Sequence, residues 1–319
     1  MLITSNYTAP IYLKNKHLHT IIPSLLFKHN LEYTLRERIT LPDNDFIDVD
    51  WLKTGQKRLV LLLHGLESSA EQFYVKHTAD FLSQRGYDIV AINYRGCSGE
   101  PNNLYKGYHS GSSPDLASVI DHLDQNNNYA ELYVVGFSLG GNILLKYLAE
   151  YQKKVPRNFV KGVAFSSPID LKGVSLELSS TFGGLYQKHF LKKLNEKLIQ
   201  KTTIYPHEIS LNDITKLTTL TKFDDFYTAP VNGFKDAFDY YAKCSCKPML
   251  NAIQHPVLLV NALDDPFLPK SCYPFDVLSK HKFIDFETPK NGGHLAFIKS
   301  LKNKTCWYPE RIWEYLSKI

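Results

Sequence analysis

The chain has 319 residues, 44% apolar and 22% charged, a length and composition that allow one large domain with a well-filled core. Its net charge of +5 is carried by lysines and arginines scattered along the sequence, which argues against nucleic-acid binding as the main function. Pro23 and Ser24 interrupt the longest apolar run near the N-terminus, so the sequence predicts neither a signal peptide nor a membrane span and favours a cytoplasmic protein.

Strand-like and helix-like segments alternate after an N-terminal stretch that we predict to be irregular. Two segments in which polar and apolar residues alternate, 33–41 and 46–53, are typical of strands near the edge of a sheet. Nearly continuous apolar runs, typical of parallel strands covered on both faces, lie at residues 58–64, 88–93, 132–136, 160–165 and 256–263. Helix-like segments lie at residues 72–84, 114–124, 142–151 and 308–317. The alternation predicts an α/β fold with a mostly parallel central sheet flanked by helices.

The interval between Pro168 and His255 has no apolar strand run and contains only helix-like pieces. We therefore predict one domain over residues 1–319, with a helical cap inserted at about residues 171–247. Lysines at positions 188, 192, 193, 197 and 201 recur at helical spacing within it. A solvated helix face is the first interpretation of this stripe, and a surface for anionic lipid head groups or nucleic acid is the alternative. Peripheral contact with lipid thus stays open.

Cofactor and metal sites are not indicated by the sequence. The five cysteines are odd in number and irregularly spaced, which favours reduced thiols over disulfides or a metal site. We interpret Cys97 as a packing residue rather than a nucleophile. There is no glycine-rich phosphate loop and no dinucleotide fingerprint in the sequence, so we expect the chemistry to need no cofactor and no metal.

A nucleophile is predicted at Ser138, within the sequence Gly136-Phe-Ser-Leu-Gly140. This G-x-S-x-G pattern directly follows an apolar strand and directly precedes a helical segment, the context in which the motif presents a serine on a tight turn. The serine oxygen would lie at the carboxyl edge of the sheet, near the positive end of the following helix.

An oxyanion hole needs backbone amides that already point at the developing negative charge. We predict that the amide of Leu139, directly after the nucleophile, is one donor. The second is predicted to be the amide of Leu66, because His64-Gly65-Leu66 follows a central strand and glycine permits a close backbone approach. We interpret His64 as a structural residue that holds this loop rather than as a catalytic one.

The predicted base is His294, in a glycine-rich turn near the end of the chain, and the predicted acid is Asp265, which follows the strand at 256–263. The order serine, aspartate, histidine is the one found in hydrolases whose G-x-S-x-G serine lies on a turn between a strand and a helix. Asp264 is the alternative acid, and it would otherwise hold the turn.

The residues resemble the α/β-hydrolase superfamily and, more closely, its YheT-like branch. The resemblance to the branch rests on the segments 93–102 (NYRGCSGEPN), 108–111 (YHSG), 15–23 (NKHLHTIIP) and 264–267 (DDPF), and on the Gly-Gly-His of 292–294. It implies the α/β-hydrolase fold and carboxylesterase-like activity on acyl esters. The stretch 67–70 (ESSA) departs from the glycine-containing turn often seen after the His-Gly pair, which leaves the shape around the second oxyanion donor open.

A serine hydrolase that cleaves small-molecule acyl esters through an acyl-enzyme is therefore the first functional prediction. An alcohol O-acyltransferase or a phospholipid-directed lipase with the same triad is the alternative, and a non-catalytic small-molecule binding protein is the alternative of another class. The cap is expected to select the substrate. We interpret its aromatic and leucine side chains, at positions 182, 185, 186, 190, 223, 226 and 227, as cap core more than as pocket lining.

Overall fold

The structure, a computed structural model, describes residues 1–318 and is built around a nine-stranded sheet. The strands run along the sheet in the order β1-β9-β8-β7-β6-β4-β5-β3-β2. Their bounds are β1 Leu2–Ile3, β2 Leu35–Thr40, β3 Phe46–Leu52, β4 Arg58–Leu63, β5 Asp88–Asn93, β6 Glu131–Phe137, β7 Phe159–Phe165, β8 Val257–Val260 and β9 Ile284–Glu287. A separate two-stranded antiparallel pair consists of β10 (Ile298–Ser300) and β11 (Thr305–Cys306).

The prediction of a mostly parallel sheet is confirmed. Every neighbouring pair from β1 to β5 along the sheet is parallel. The antiparallel pairs are β5–β3 and β3–β2, at the other edge. The two segments predicted to lie near an edge are these two strands. The carboxyl ends of β4, β6, β7 and β8 therefore meet at one edge of the sheet, where the loops that follow them lie close together.

Helices connect the strands and cover both faces of the sheet. Their bounds are α1 Lys16–Leu26, α2 Phe73–Ser83, α3 Ser113–Asn126, α4 Leu139–Glu150, α5 Leu171–Ser180, α6 Leu185–Ile204, α7 Leu211–Thr215, α8 Leu220–Phe223, α9 Ala229–Val231, α10 Ala237–Cys244, α11 Phe275–Leu278 and α12 Tyr308–Ser317. α2 and α12 pack together on one face, and α3 and α4 pack together on the other. Strand side chains such as Val60 and Leu61 are fully buried because they point alternately into these two layers.

The segment between β7 and β8 contains helices and no strand among residues 166–256, all of which the structure describes. One turn, Asp224–Thr228, is a π-helix between α8 and α9. The helices α5 to α10 bury a small core of their own, which includes Leu191, Leu198 and Phe223. The interpretation of residues 171–247 as a cap on a single domain stays a prediction.

The expectation that the first thirty residues are irregular is wrong, because α1 forms within them. The side chain of Asn15 caps this helix by accepting hydrogen bonds from the amides of His17 and Leu18. Pro23 lies inside the helix, although proline usually ends one.

Candidate active site

Ser138 lies on the tight turn between β6 and α4, at the carboxyl edge of the sheet. Its backbone has φ of +52° and ψ of −120°, a strained conformation for a residue with a side chain. The turn is held because the amide of Ser138 donates to the carbonyl oxygen of Phe165, 2.8 Å away on the neighbouring strand β7. The turn thus places the hydroxyl at the N-terminus of α4, just beyond the end of β6.

The glycines on either side of Ser138 are required by the closeness of the backbones around it. A Cβ on Gly136 would lie 2.4 Å from the carbonyl oxygen of Gly140. A Cβ on Gly140 would lie 2.6 Å from the carbonyl oxygen of Leu63, at the end of β4. Both distances are below any real contact, so the elbow tolerates no side chain at these positions.

His294 lies within hydrogen-bond distance of both Ser138 and Asp265, the two residues that the sequence predicted as its partners. The Oγ atom of Ser138 is 2.9 Å from Nε2 of His294. Nδ1 of His294 is 2.9 Å from Oδ2 and 3.1 Å from Oδ1 of Asp265. The Asp265 side chain is completely buried, and the phenyl ring of Phe267 stacks on the imidazole at 4.0 Å. The imidazole is therefore held by a carboxylate at its edge and by an aromatic ring at its face.

The turn that bears His294 is fixed by groups other than Asp265. The carboxylate of Asp264 accepts from the amide of Gly293 and from the side-chain amide of Asn291, both at 3.0 Å. The hydroxyl of Thr20, on α1, accepts from the amide of His294 at 2.9 Å. Asp264 thus holds the turn, which is the second role weighed for it, while Asp265 contacts the ring.

The loop after β4, which carries Leu66, packs against the turn that bears Ser138. A Cβ on Gly65 would lie 3.2 Å from the Cβ of Ser138, so this loop packs directly against the serine turn. The neighbouring amides are engaged, since Gly65 donates to the hydroxyl of Tyr74 at 2.9 Å and Glu67 to that of Tyr108 at 2.7 Å. Within residues 1–318 the amide between them, that of Leu66, has no acceptor.

The other predicted donor, Leu139, begins α4, and first-turn amides have no acceptor within their own helix. His64 supports the opposite loop, because its Nδ1–H donates to the carbonyl oxygen of Gly65 at 2.7 Å. Its Nε2 accepts from the amide of Tyr94 at 3.3 Å. Burial lowers the pKa of His64 to about 3, so this imidazole is neutral and structural at neutral pH.

Glu67 is the residue at which the chain departs from the glycine-containing turn. Its φ is +49°, a left-handed conformation that favours glycine, and three contacts hold it there. Tyr108 donates to its carboxylate at 2.8 Å, Lys197 lies 3.1 Å from that carboxylate, and Lys193 donates to its carbonyl oxygen at 3.2 Å. Side-chain contacts thus replace the conformational freedom of glycine.

The interpretation of the lysine stripe as a solvated helix face is wrong for part of the stripe. Lys188 and Lys192 are exposed, but Lys197 pairs with Glu67 and Lys201 is only 6% exposed. Lys201 donates to the side chain of Asn102 at 3.0 Å, and burial lowers the pKa of its amine to about 8. The inner side of α6 therefore brings positive charge to the interior.

A cavity extends from Ser138, Leu139, Leu66 and His294 beneath the helices α5 to α10. Its walls near the serine are mostly apolar and include Leu171, Val174, Leu178, Phe190, Leu194, Leu220 and Phe223. Of the seven cap residues that we interpreted mainly as core, Phe190, Phe223 and Tyr227 line the cavity, Tyr186 is buried, and Phe182, Leu185 and Phe226 are exposed. The cavity can hold an apolar chain next to the serine.

Asp224 is an ionisable group in the wall of this cavity that the sequence did not single out. It lies on the π-turn, and the hydroxyl of Tyr241 donates to its carboxyl at 2.7 Å. No lysine, arginine or histidine within the described residues 1–318 lies within 4.0 Å of it. Burial raises the pKa of this carboxyl to about 6.

Sequence reasoning missed four residues that support the site: Thr20, Tyr74, Tyr108 and Asp224. Each lies on an element whose approach to the site depends on the packing of the whole chain. Thr20 and Tyr108 had a local signal, since they belong to the segments 15–23 and 108–111 on which the family resemblance partly rests. Tyr74, on α2, and Asp224, on the π-turn, belong to no such segment.

Metal ligands do not cluster in the structure. Among residues 1–318 there is no group of three or more histidine, cysteine, aspartate or glutamate side chains that could hold an ion. All five cysteines are buried and free, and burial raises the pKa of the Cys97 thiol to about 11. Across the described part of the chain, no helix combines the length and apolar character that crossing a bilayer requires. The cytoplasmic location stays a prediction.

Comparisons with known proteins agree with this architecture. Residues 58–301 match the family described as alpha/beta hydrolase fold. The chain is 33% identical over 311 residues to YheT of Escherichia coli (strain K12), whose name describes an esterase, with 95% of this chain and 90% of that protein covered. It is 24% identical over 323 residues to phospholipase ABHD3 of Mus musculus, covering 98% and 78%. It is 25% identical over 306 residues to medium-chain fatty acid ethyl ester synthase/esterase 2 of Saccharomyces cerevisiae, covering 88% and 65%.

Solved structures share the fold. The Pyrococcus furiosus esterase Pf2001 superposes with a TM-score of 0.59 at 18% identity, covering 91% of this chain and 96% of that one. Est1E from Butyrivibrio proteoclasticus, solved with ferulic acid, superposes with a TM-score of 0.57 at 11% identity, covering 88% and 97%.

Proposed function

Because this chain belongs to the alpha/beta hydrolase fold family, and within it to the YheT-like proteins, we propose that it is a serine hydrolase that cleaves carboxylic esters through an acyl-enzyme. One observation carries the proposal: Ser138 Oγ lies 2.9 Å from His294 Nε2 while His294 Nδ1 lies 2.9 Å from Asp265. This is the constellation that turns an ordinary hydroxyl into a nucleophile. The chain is a hydrolase of this superfamily, and the ester specificity and the triad roles are the proposal.

In the acylation step, Nε2 of His294 takes the proton of the Ser138 hydroxyl as Oγ forms a bond to the ester carbonyl carbon. The carbonyl electron pair moves onto its oxygen and gives a tetrahedral oxyanion. When the oxyanion collapses, the bond to the alkoxy group breaks, and His294 gives its proton to the leaving alcohol. Asp265 keeps the imidazole in the tautomer that has Nε2 free, and it stabilises the imidazolium that forms.

The amides of Leu66 and Leu139 are the proposed donors to the oxyanion. Two facts support this assignment: the Gly65 loop packs against Ser138, and the amide of Leu139, the first residue of α4, has no acceptor among residues 1–318. Such preorganised donors contribute roughly 10²–10³ in rate each. In deacylation water loses a proton to His294 as its oxygen attacks the acyl carbon. The bond between that carbon and Ser138 Oγ then breaks, His294 returns the proton to Oγ, and the carboxylic acid is released.

The acyl part of the substrate is proposed to lie in the apolar part of the cavity, between Val174, Leu178, Leu194 and Phe223. Burial of each methylene contributes about 0.8 kcal/mol, so the length of the chain that fits determines the preferred ester. We also propose that residues 171–247 act as a cap on a single domain, because their helices supply most of this wall.

Hydrolysis of p-nitrophenyl esters from acetyl to palmitoyl tests the proposal, with Ser138→Ala as the decisive variant. Turnover that depends on chain length and disappears in the variant is the expected result. Ser113→Ala is the matched control, because Ser113 is also a buried serine near the start of a helix but lies outside the cavity wall. Turnover that persists in Ser138→Ala would refute the assigned nucleophile.

Acyl transfer to an alcohol is the second candidate, and the relative named as an ethyl ester synthase/esterase favours it. The acyl-enzyme would be the same, and an alcohol would replace water as the acceptor. Product analysis with added ethanol separates the two, since transfer yields an ethyl ester and hydrolysis yields only the acid. The relative named as a phospholipase makes a phospholipid ester a further substrate to include in that assay.

A binding protein without catalysis is the alternative of another class. A fluorophosphonate probe labels a serine only when the serine is activated, so labelling of the wild type and not of Ser138→Ala argues against this alternative. Unlabelled wild-type protein that nevertheless binds an acyl ester would favour it.

A further inference from the structure

Helix α1 buries its polar side and exposes its apolar side. Its buried residues are His19 and Pro23, whereas all three of its leucines, at positions 18, 25 and 26, are between 52% and 70% exposed. The residues just before it, Ile11 and Tyr12, are 78% and 60% exposed. A helix that packs on a protein core normally has the reverse arrangement.

The apolar residues of α1 form one continuous stripe. At 100° per residue, Ile21, Leu25, Leu18, Ile22 and Leu26 lie in this order within an arc of about 140° of the helix surface. Ile21, at one flank of the stripe, and Ile22, between Leu18 and Leu26, are partly buried, whereas the three leucines are exposed. Contiguous apolar surface of this kind on a folded protein marks an interaction site.

The stripe continues onto the corner between α5 and α6. His17 of α1 stacks on Phe182 with ring centroids 4.5 Å apart, and Phe182 and Leu185 are each 49% exposed. Phe182, Gly183 and Gly184 have φ of +52°, +63° and +72°. Of these three residues only Phe182 is strained in the left-handed region, and its ring lies at the surface against His17 of α1.

Positive charge surrounds this surface. Residues 1–31 contain three lysines, at positions 14, 16 and 28, and no aspartate or glutamate. On the other side of the corner, Lys188 and Lys192 of α6 are exposed, and Lys192 lies 4.0 Å from the carboxylate of Glu196. Exposed leucines with an aromatic side chain and a lysine rim match the boundary between acyl chains and anionic head groups.

The same surface is connected directly to the active site. Thr20 of α1 accepts from the amide of His294. Tyr186, whose hydroxyl lies 3.1 Å from Nδ1 of His17, packs against Phe267, which stacks on His294. A partner that covers α1 and the α5–α6 corner therefore lies beside the catalytic turn.

We propose that the exposed faces of α1 and of the Phe182–Leu185 corner dock this protein onto an anionic phospholipid bilayer. The leucines and Phe182 enter the interface, and the lysine rim contacts the head groups. This partner is additional to the proposed ester hydrolysis, and it brings the active site to a phase in which apolar esters are concentrated.

Co-sedimentation with vesicles tests the proposal, using phosphatidylcholine with about 30% phosphatidylglycerol as the probe surface. The wild type is expected in the pellet, less so when the salt is raised, because the head-group contribution is screened. Leu25→Ser is expected to weaken partitioning about threefold and Leu18→Ser/Leu25→Ser about tenfold. Leu35→Ser is the matched control, because Leu35 is 52% exposed at the start of β2, the edge strand farthest along the sheet from β1.

Wild-type protein that stays in the supernatant, or a double variant that partitions like the wild type, overturns the proposal. A wild type that is dimeric by sedimentation velocity, with a monomeric double variant, also overturns it, because a second copy would then cover this face. Turnover of soluble p-nitrophenyl acetate is measured in parallel and is expected to be unchanged in the double variant. Vesicle binding without any turnover would refute the proposed hydrolysis and leave the docking surface standing.

Discussion

Replacing Tyr108 with phenylalanine tests whether the position of the Leu66 amide depends on the hydrogen bonds that hold its neighbour Glu67. The Tyr108 hydroxyl accepts from the amide of Glu67 at 2.7 Å and donates to the carboxylate of the same residue at 2.8 Å. The ring itself stacks on Tyr94 with centroids 5.2 Å apart, so phenylalanine keeps the packing. The substitution removes one oxygen atom that anchors the loop on one side of Leu66.

The size of the effect follows from the two lost bonds. A buried amide without a partner costs about 1–3 kcal/mol, while Lys197 keeps the carboxylate of Glu67 satisfied, so we expect the free energy of unfolding to fall by about 2 kcal/mol. Loss of an oxyanion donor costs roughly 10²–10³ in kcat. A loop still held by Tyr74 and Lys193 loses only part of this, and we expect kcat to fall on the order of tenfold with little change in KM.

The assay measures kcat and KM on a p-nitrophenyl ester together with urea unfolding, for Tyr108→Phe and for Tyr129→Phe. Tyr129 is the matched control, because its hydroxyl donates to the carboxylate of Asp88 at 2.8 Å, at the opposite edge of the sheet from Ser138. Both variants should lose stability, and only Tyr108→Phe should lose kcat. The reasoning is refuted if kcat of Tyr108→Phe equals that of the wild type, or if both variants lose kcat equally.

Four further substitutions test separate parts of the site. Asp265→Asn should lower kcat by on the order of 10³–10⁴, whereas Asp264→Asn should mainly lower stability; equal kcat losses would mean that the acid is misassigned. Gly140→Ala should destabilise the fold or prevent it, since its Cβ would lie 2.6 Å from a Leu63 backbone atom, and a thermal unfolding midpoint equal to that of the wild type would contradict this. The pKa of Asp224 is raised from 3.8 to about 6, so the native state binds the extra proton and stability falls as the pH rises between these values. Asp224→Asn should remove this fall, which is measured as the free energy of unfolding in urea at about pH 4 and about pH 6. A variant whose free energy of unfolding falls between these pH values as much as that of the wild type would contradict the prediction.

Much of the fold was predictable because its signals are local. Continuous apolar runs identified the central strands to within a few residues, since strands covered on both faces cannot afford polar side chains. The turn around Ser138 was predictable for the same reason, because a strand followed by G-x-S-x-G and a helix is a local pattern. The prediction failed at α1, where a helix capped by Asn15 forms although it contains Pro23.

The candidate triad was predicted as three residues of suitable chemistry, but the choice between Asp264 and Asp265 was not local. Both follow the same strand, and only the folded loop shows that one contacts the imidazole while the other holds the turn. The same holds for the lysines of α6, because spacing shows that they share a face but not what that face meets. Lys197 and Lys201 turn inward because Glu67 and Asn102 lie there.

The sequence by itself determined the central strands and the helices between them, the turn that bears Ser138 and the family, because each depends on short runs of residues. Only the tertiary structure decided that the leucines of α1 lie at the surface. It also decided which residues far apart in the chain meet: Thr20 with the turn of His294, and Tyr108 with Glu67. These contacts join positions far apart in the chain, and no periodicity or spacing encodes them. They arise because the loops at the carboxyl edge of the sheet pack around Ser138, and this packing depends on the whole folded chain.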